Sequence, residues 1–256
     1  MNRMNQVAIN LYTLRKEAKK NLLGTLEKVS EIGYCGVEFA GFFNTPANRL
    51  KETLERLRMI SVASHTPIEA LRDNLDEVLR YNQTIGTKYI VCPWDQCATR
   101  EEYRERAVFF NSVAKKISDA GMGFGYHNHA HEFELVDGKY GLDYLYELTD
   151  PKWVIPQLDI YWIYYAGIDP VAYIDRYAGR CKLIHLKDMS DNISKSITEV
   201  GNGILDIKGV MAKGLEIGAE WFAVEQDVCE RPALESIRIS YENVRRLFQE
   251  LEEHKR

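Results

Sequence analysis

The sequence has little of what marks a nucleic-acid-binding, membrane-spanning or disulfide-bonded protein. Its 33 Lys and Arg residues are outnumbered by 38 Asp and Glu residues, so it lacks the excess of positive charge that phosphate binding requires. Its five cysteines are scattered without a CxxC pair, which argues against a disulfide framework and fits a reducing cytoplasm. No apolar run is long enough to cross a bilayer, and the first ten residues lack the apolar stretch of a signal peptide. We therefore expect a cytoplasmic protein with no nucleic-acid or membrane partner.

Glycine is also absent from the segment that follows the first predicted strand. The first apolar run leads into Asn10–Arg15 without a single glycine, whereas an open doubly wound sheet usually carries a glycine-rich phosphate loop there. Proline, glycine and serine never cluster into a linker, and charge is spread evenly along the chain. We therefore predict one domain over residues 1–256.

What is present is an alternation of short apolar runs with amphipathic helical patterns. Eight runs are candidate strands: Val7–Leu11, Gly36–Ala40, Ser61–Ser64, Tyr89–Cys92, Gly123–His127, Val154–Asp159, Lys182–Leu186 and Trp221–Glu225. Strands that alternate with helices form a parallel sheet, because each parallel pair needs a crossover. Eight such units in 256 residues predict a closed (β/α)8 TIM barrel.

Polar side chains mark the ends of several predicted strands. Asp159, His185 and Glu225 close the sixth, seventh and eighth strands on the face that alternation turns inward. Each alone could be an ion-paired or core residue, but three in register at one barrel end predict a shared site. Carboxylates buried together repel one another, so a divalent cation is expected between them.

The densest polar cluster is Tyr126–Phe133, which holds three of the six histidines and follows a glycine-rich strand. A polar surface turn is the alternative to a functional loop at this position. Two further polar residues, Glu38 and His65, lie at the ends of the second and third predicted strands.

These features resemble the sugar phosphate isomerase/epimerase family, whose members are xylose isomerase-like TIM barrels. Five segments carry the resemblance, which spans essentially the whole chain: YHNHAHEF at Tyr126–Phe133, QLDIYWIYYAGIDP at Gln157–Pro170, IHLKDM at Ile184–Met189, EVGNGILD at Glu199–Asp206 and WFAVEQD at Trp221–Asp227.

The resemblance implies a site for one divalent metal ion. Its expected ligands are Glu132, Asp159, His185 and Glu225. Mn2+ is the first expectation, with Mg2+, Co2+ and Zn2+ as alternatives. Ordinary epimerases of the family place their first glutamate at the end of the fifth strand, where this chain has His127. The first ligand is therefore left open between Glu132 and His127.

The resemblance also implies an isomerase or epimerase acting on a sugar or keto-sugar through an enediolate. Glu132 and Glu225 are expected to move a proton between the faces of one carbon, and Lys187 to stabilise the oxyanion. Substrate contacts are expected from Glu38, His65, His127, His129 and Trp162. Trp162 stands where ketose epimerases tend to carry a histidine, which indicates a changed pocket.

Two alternatives stay open at this point. The first is a lyase or dehydratase of the same family that acts on a keto-polyol or a 3-keto-glycoside. The second is a sugar-binding barrel without catalysis. A homo-oligomer is compatible with either.

Overall fold

A computed structural model describes residues 3–253, and within them eight parallel strands close into a barrel with helices around it. The barrel strands, numbered β1 to β8, are Val7–Asn10, Gly36–Phe39, Ile60–His65, Tyr89–Cys92, Gly123–His127, Val154–Asp159, Leu183–Leu186 and Trp221–Val224. They follow one another around the barrel in chain order, and β8 pairs with β1 to close it. Each of the eight predicted strands is confirmed to within one residue at either end, and so is the TIM-barrel fold.

Helices connect the strands and pack around them. Those of the described chain, numbered α1 to α10, are Arg15–Ile32, Ala47–Leu57, Ile68–Asp73, Leu75–Ile85, Arg100–Asp119, Gly141–Leu148, Ile160–Tyr165, Pro170–Asp175, Ile207–Ile217 and Ala233–Glu253. A reciprocal capping box between Thr99 and Glu102 starts α5. Gly33, with φ of 119°, ends α1 in the left-handed region that glycine adopts at no steric cost. None of the helices within residues 3–253 is long and apolar enough to cross a membrane.

The barrel interior is layered along its axis. An apolar layer at the amino-terminal end includes Ala8, Val62 and Trp221. A side chain at Gly36 would collide with all three of these residues, so the strand needs glycine where the Trp221 ring fills the barrel. Above this layer the interior becomes polar, which is where a TIM barrel carries its chemistry.

Two short hairpins that the sequence analysis did not predict lie beyond the barrel strands. One pairs Leu135–Val136 with Lys139–Tyr140 after β5, and the other pairs Asp188–Met189 with Ile197–Thr198 after β7. Both sit in segments that follow the carboxyl end of a barrel strand, so they add structure around the site rather than to the barrel wall.

Candidate metal and substrate site

The polar layer is built from inward-facing residues at the carboxyl ends of six strands. Its members are almost completely buried except for the partly exposed His65: Asn10, Glu38, His65, His127, Gln157, Asp159 and His185. Strand pairing sets them side by side, since Asn10 is in register with Glu38, His127 with Gln157, and Asp159 with His185. The alternation of side chains along each strand therefore places residues that are far apart in the sequence together in one polar layer.

Four of the side chains at this end form a compact cluster. His127, Asp159, His185 and Glu225 each offer a ligand atom, and these atoms all lie within 4.8 Å of one another. His127 Nε2 is 3.7 Å from Asp159 Oδ2, and His185 Nδ1 is 2.8 Å from Glu225 Oε2. The structure thus brings together the three residues that the strand ends predicted, with His127 as the fourth.

Glu132 is not part of this cluster. It lies in the short turn His131–Phe133, where its Oε1 accepts a 2.5 Å hydrogen bond from the Tyr126 hydroxyl and its Oε2 accepts one from the His129 backbone N–H. Tyr126 and His127 are neighbours on β5, so their side chains point to opposite faces. The bond to Tyr126 therefore holds Glu132 on the helix side of the strand, and His127 is the β5 residue that belongs to the cluster.

Lys187 extends the cluster upward from β7. Its fully buried ammonium lies 3.0 Å from Asp159 Oδ2, 2.9 Å from Glu225 Oε2 and 3.1 Å from Asp227 Oδ1. Burial alone would lower the pKa of Lys187, but these three carboxylates outweigh it and hold the pKa well above its ordinary value. The lysine is therefore a fixed positive charge beside the cluster.

The protonation of the cluster follows from burial and from its charges. Burial raises the pKa of Asp159 to about 6 against the attraction of Lys187. Burial would lower the pKa of His185, but Glu38 and Glu225 raise it to about 10. Burial, together with nearby positive charge, holds the pKa of His127 well below its ordinary value, so its imidazole is neutral and able to bind a metal.

These residues fit a divalent cation. Four carboxylates, those of Glu38, Asp159, Glu225 and Asp227, crowd around Lys187 and His185, and a divalent cation would relieve their mutual repulsion. Asp159 Oδ2 is buried and accepts no hydrogen bond of good geometry, although it contacts the Lys187 ammonium. Two imidazoles and two carboxylates are a donor set that suits Zn2+, Mn2+ or Co2+.

A cavity of about 520 Å³ opens above the cluster. Its lining includes His65, His127, His129, Lys187 and Glu225, together with aromatic and proline residues at the mouth. Its volume lies within the range of small-molecule sites. Of the residues expected to contact substrate, three line this cavity: His65, His127 and His129.

The other two expected contacts lie elsewhere. Glu38 is buried in the polar layer beneath the cavity, where its carboxylate bonds to the side chains of Asn10, Gln157 and His185. Trp162 packs against His129 with ring centroids 5.4 Å apart, and its indole nitrogen is buried without a hydrogen bond. Neither belongs to the described residues that line the cavity.

Two residues of the site escaped the sequence analysis. Gln157 bonds to Glu38, His65 and His127, and Asp227 bonds to Lys187. The period-two pattern could have found Gln157, which precedes Asp159 by two residues on the same strand. Asp227 lies beyond the end of β8, where that pattern does not apply.

Comparison with known proteins agrees with this architecture. The chain is 27% identical to the inosose dehydratase of Geobacillus kaustophilus over 79% of each chain. Other inosose dehydratases match over between 36% and 65% of their own length.

Among solved structures, a sugar phosphate isomerase/epimerase from Parabacteroides distasonis superimposes with a TM-score of 0.80, at 23% identity and covering 93% of both chains. The IOLI protein with a bound zinc atom superimposes with a TM-score of 0.71, at 17% identity, covering 94% of this chain and 97% of the other. The sequence profile of the Xylose isomerase-like TIM barrel matches residues 26–247. The chain therefore belongs to the xylose isomerase-like TIM barrel family.

Proposed function

We propose that the protein is a metal-dependent dehydratase that removes water from a cyclic keto-polyol or keto-sugar. The observation that carries this proposal is the contact of 2.9 Å between a carboxylate, Glu225, and a buried ammonium, Lys187, at the floor of the cavity and beside the candidate metal ligands. The inosose dehydratases among its relatives favour dehydration over isomerisation.

The reaction removes a proton from the carbon next to a carbonyl and expels hydroxide from the carbon beyond it. Glu225 accepts the proton, and the electron pair of the C–H bond becomes the new C=C bond as the C–O bond breaks. The proton that Glu225 took up passes to the departing hydroxide, which leaves as water, and an unsaturated ketone remains. A bound divalent ion would act as a Lewis acid that polarises the carbonyl. The Lys187 ammonium stabilises the negative charge that develops on the carbonyl oxygen.

His129 is suited to hold the substrate. Burial is the main reason that the pKa of His129 falls to about 3, so its imidazole is neutral. It lines the cavity, and its Nδ1 is buried without a hydrogen-bond partner. A substrate hydroxyl would satisfy this atom, since an unpaired buried polar group is costly.

Epimerisation by two carboxylates is less well supported. It requires a second base on the opposite face of the substrate, the role that the sequence analysis gave to Glu132. Both oxygens of Glu132 are engaged by Tyr126 and His129, and Glu132 is not among the described residues that line the cavity. Glu132 therefore does not face Glu225 across the cavity as that mechanism needs.

The test is incubation of Mn2+-, Co2+- or Zn2+-loaded protein with an inosose, a polyhydroxylated cyclohexanone, in deuterated water. A dehydratase yields a product that has lost one water, detected by mass spectrometry. An epimerase instead returns material of undiminished composition with deuterium on the carbon next to the carbonyl. Metal binding without either outcome, across a panel of inososes and 3-keto-glycosides, would contradict the proposal and favour a sugar-binding barrel.

A further inference from the structure

Glu38 lies at the centre of a buried hydrogen-bond network in the polar layer of the barrel and is wholly inaccessible to solvent. Its Oε1 accepts a hydrogen bond of 2.8 Å from Asn10 Nδ2, contacts His65 Nε2 and lies 3.0 Å from His185 Nε2. Its Oε2 accepts a 2.8 Å hydrogen bond from Gln157 Nε2. A carboxylate can only accept, so every neighbour in this network must turn a donor toward Glu38.

This requirement fixes the orientation of the Gln157 amide. Its NH2 group faces Glu38, so its carbonyl oxygen Oε1 faces the other way, 3.1 Å from His127 Nδ1 and 2.9 Å from His65 Nε2. An amide orientation is assigned from its network, and here the carboxylate leaves one choice. Because the Gln157 amide donates to Glu38, it presents its carbonyl oxygen as a hydrogen-bond acceptor to His127 on the other side of the barrel.

In this network one ring nitrogen of His127 and one of His185 donate to a fixed acceptor. His127 donates from Nδ1 to Gln157, which leaves Nε2, the atom 3.7 Å from Asp159 Oδ2, with a free lone pair. His185 donates from Nε2 to Glu38 and from Nδ1 to Glu225 Oε2, which is 2.8 Å away. When a metal ion takes the place of the proton on Nδ1, Glu38 still holds the proton on Nε2. A neutral imidazole binds a metal through one nitrogen when its other N–H is held by an acceptor.

We propose that Glu38 and Gln157 are positioning residues for the metal, and that one hydrogen-bonded pair sets the metal-binding tautomer of both His127 and His185. This inference rests on the proposed metal site. It replaces the expectation that Glu38 contacts substrate, because neither residue of the pair is among the described residues that line the cavity.

The test measures Zn2+ affinity of metal-free protein by competition with a chromogenic chelator. Glu38→Gln keeps the shape of the side chain but turns an NH2 group toward neighbours that are themselves donors, so the acceptor that orients His185 and Gln157 is weakened. We expect Zn2+ affinity to fall by about 10- to 100-fold. Gln157→Met, which removes the acceptor for His127, should lower the affinity in the same direction and serves if Glu38→Gln does not fold.

The matched control is Asp143→Asn. Asp143 is also a buried carboxylate with several donors, Tyr173, Tyr177 and Arg176, but it lies outside the barrel interior. The Asp143→Asn substitution should leave Zn2+ affinity unchanged. A second readout is nitrogen-detected NMR of the Zn2+-bound protein, in which His127 should carry its proton on Nδ1 and His185 on Nε2.

The outcomes separate this inference from the proposed function. If folded Glu38→Gln and Gln157→Met variants bind Zn2+ as tightly as the unsubstituted protein, or if the NMR spectra show the opposite tautomers, the positioning role is overturned while the metal site stands. If the unsubstituted protein does not bind Zn2+, the metal site and the inference built on it both fail.

Discussion

Lys187 Nζ and Glu225 Oε2 lie 2.9 Å apart at the floor of the cavity, one on the segment after β7 and the other just after β8. Burial would raise the pKa of Glu225, but Lys187 and His185 outweigh it and hold the pKa below its ordinary value. Glu225 is therefore ionised at neutral pH, as a general base must be before it takes up a proton.

Replacing this base should stop turnover without unfolding the protein. In Glu225→Gln the amide cannot accept the substrate proton, and we expect turnover to fall by about 100- to 10,000-fold. Steady-state kinetics at matched metal content would measure the loss. Glu220→Gln, at an exposed glutamate that bonds Tyr89, is the control that should leave turnover unchanged. Full activity in Glu225→Gln would remove Glu225 as the base.

Removing the positive charge of Lys187 should have opposite effects on metal binding and on catalysis. Its ammonium contacts oxygens of Asp159 and Glu225, both candidate ligands, so it repels a cation placed there. In Lys187→Met we expect metal affinity to rise by about tenfold or more while turnover falls. Chelator competition and kinetics on the same preparation give the two values, and a variant weakened in metal binding would contradict this account of the site.

Metal binding should strengthen as pH rises. The pKa of His185 is raised to about 10 in the metal-free protein, so its imidazole stays protonated through neutral pH and a metal ion must expel that proton. The apparent affinity should therefore increase by about tenfold per pH unit between pH 6 and 8 for each proton released. Calorimetry in two buffers with different ionisation enthalpies counts these protons. An affinity that does not change with pH would show that His185 is not a ligand.

The choice between His127 and Glu132 can be decided by substitution. His127→Ala removes a donor from the compact cluster, and elemental analysis should find much less metal bound. Glu132→Gln should retain the metal, since Glu132 bonds to Tyr126 and His129 instead. The reverse result would restore Glu132 as the first ligand.

Asp188 should matter for stability rather than for catalysis. Its carboxylate accepts hydrogen bonds from the backbone N–H groups of Met189, Gly201, Gly203 and Leu205, and so fastens the segment before α9 to the end of β7. In Asp188→Asn an amide NH2 would face some of these donors, and we expect a loss of about 1–3 kcal/mol in the free energy of unfolding. Urea denaturation of the metal-free protein measures it, and an unchanged midpoint would contradict this role.

The fold could be predicted from the sequence because its signals are local and repeated. Each barrel strand is a short apolar run between helical patterns, and the missing glycine after β1 favoured a closed barrel over an open sheet. The convergence of Asp159, His185 and Glu225 was likewise predictable, since side chains alternate along a strand and parallel strands end at the same rim.

The loop after β5 was not predictable in this way. His127, the last residue of the strand, is oriented by the pleat, but Glu132 lies in a turn where no periodicity applies. Its position depends on a hydrogen bond to Tyr126, which only the folded chain provides.

By itself, then, the sequence determined the barrel and the inward-facing residues of each strand, because both follow from repeating backbone geometry. Only the tertiary structure decided which of those residues bond to one another. Glu38 and Gln157 are 119 residues apart in the chain and meet across the barrel at 2.8 Å. Closure of the barrel creates that contact, and no local pattern encodes the partners of a side chain on a distant strand.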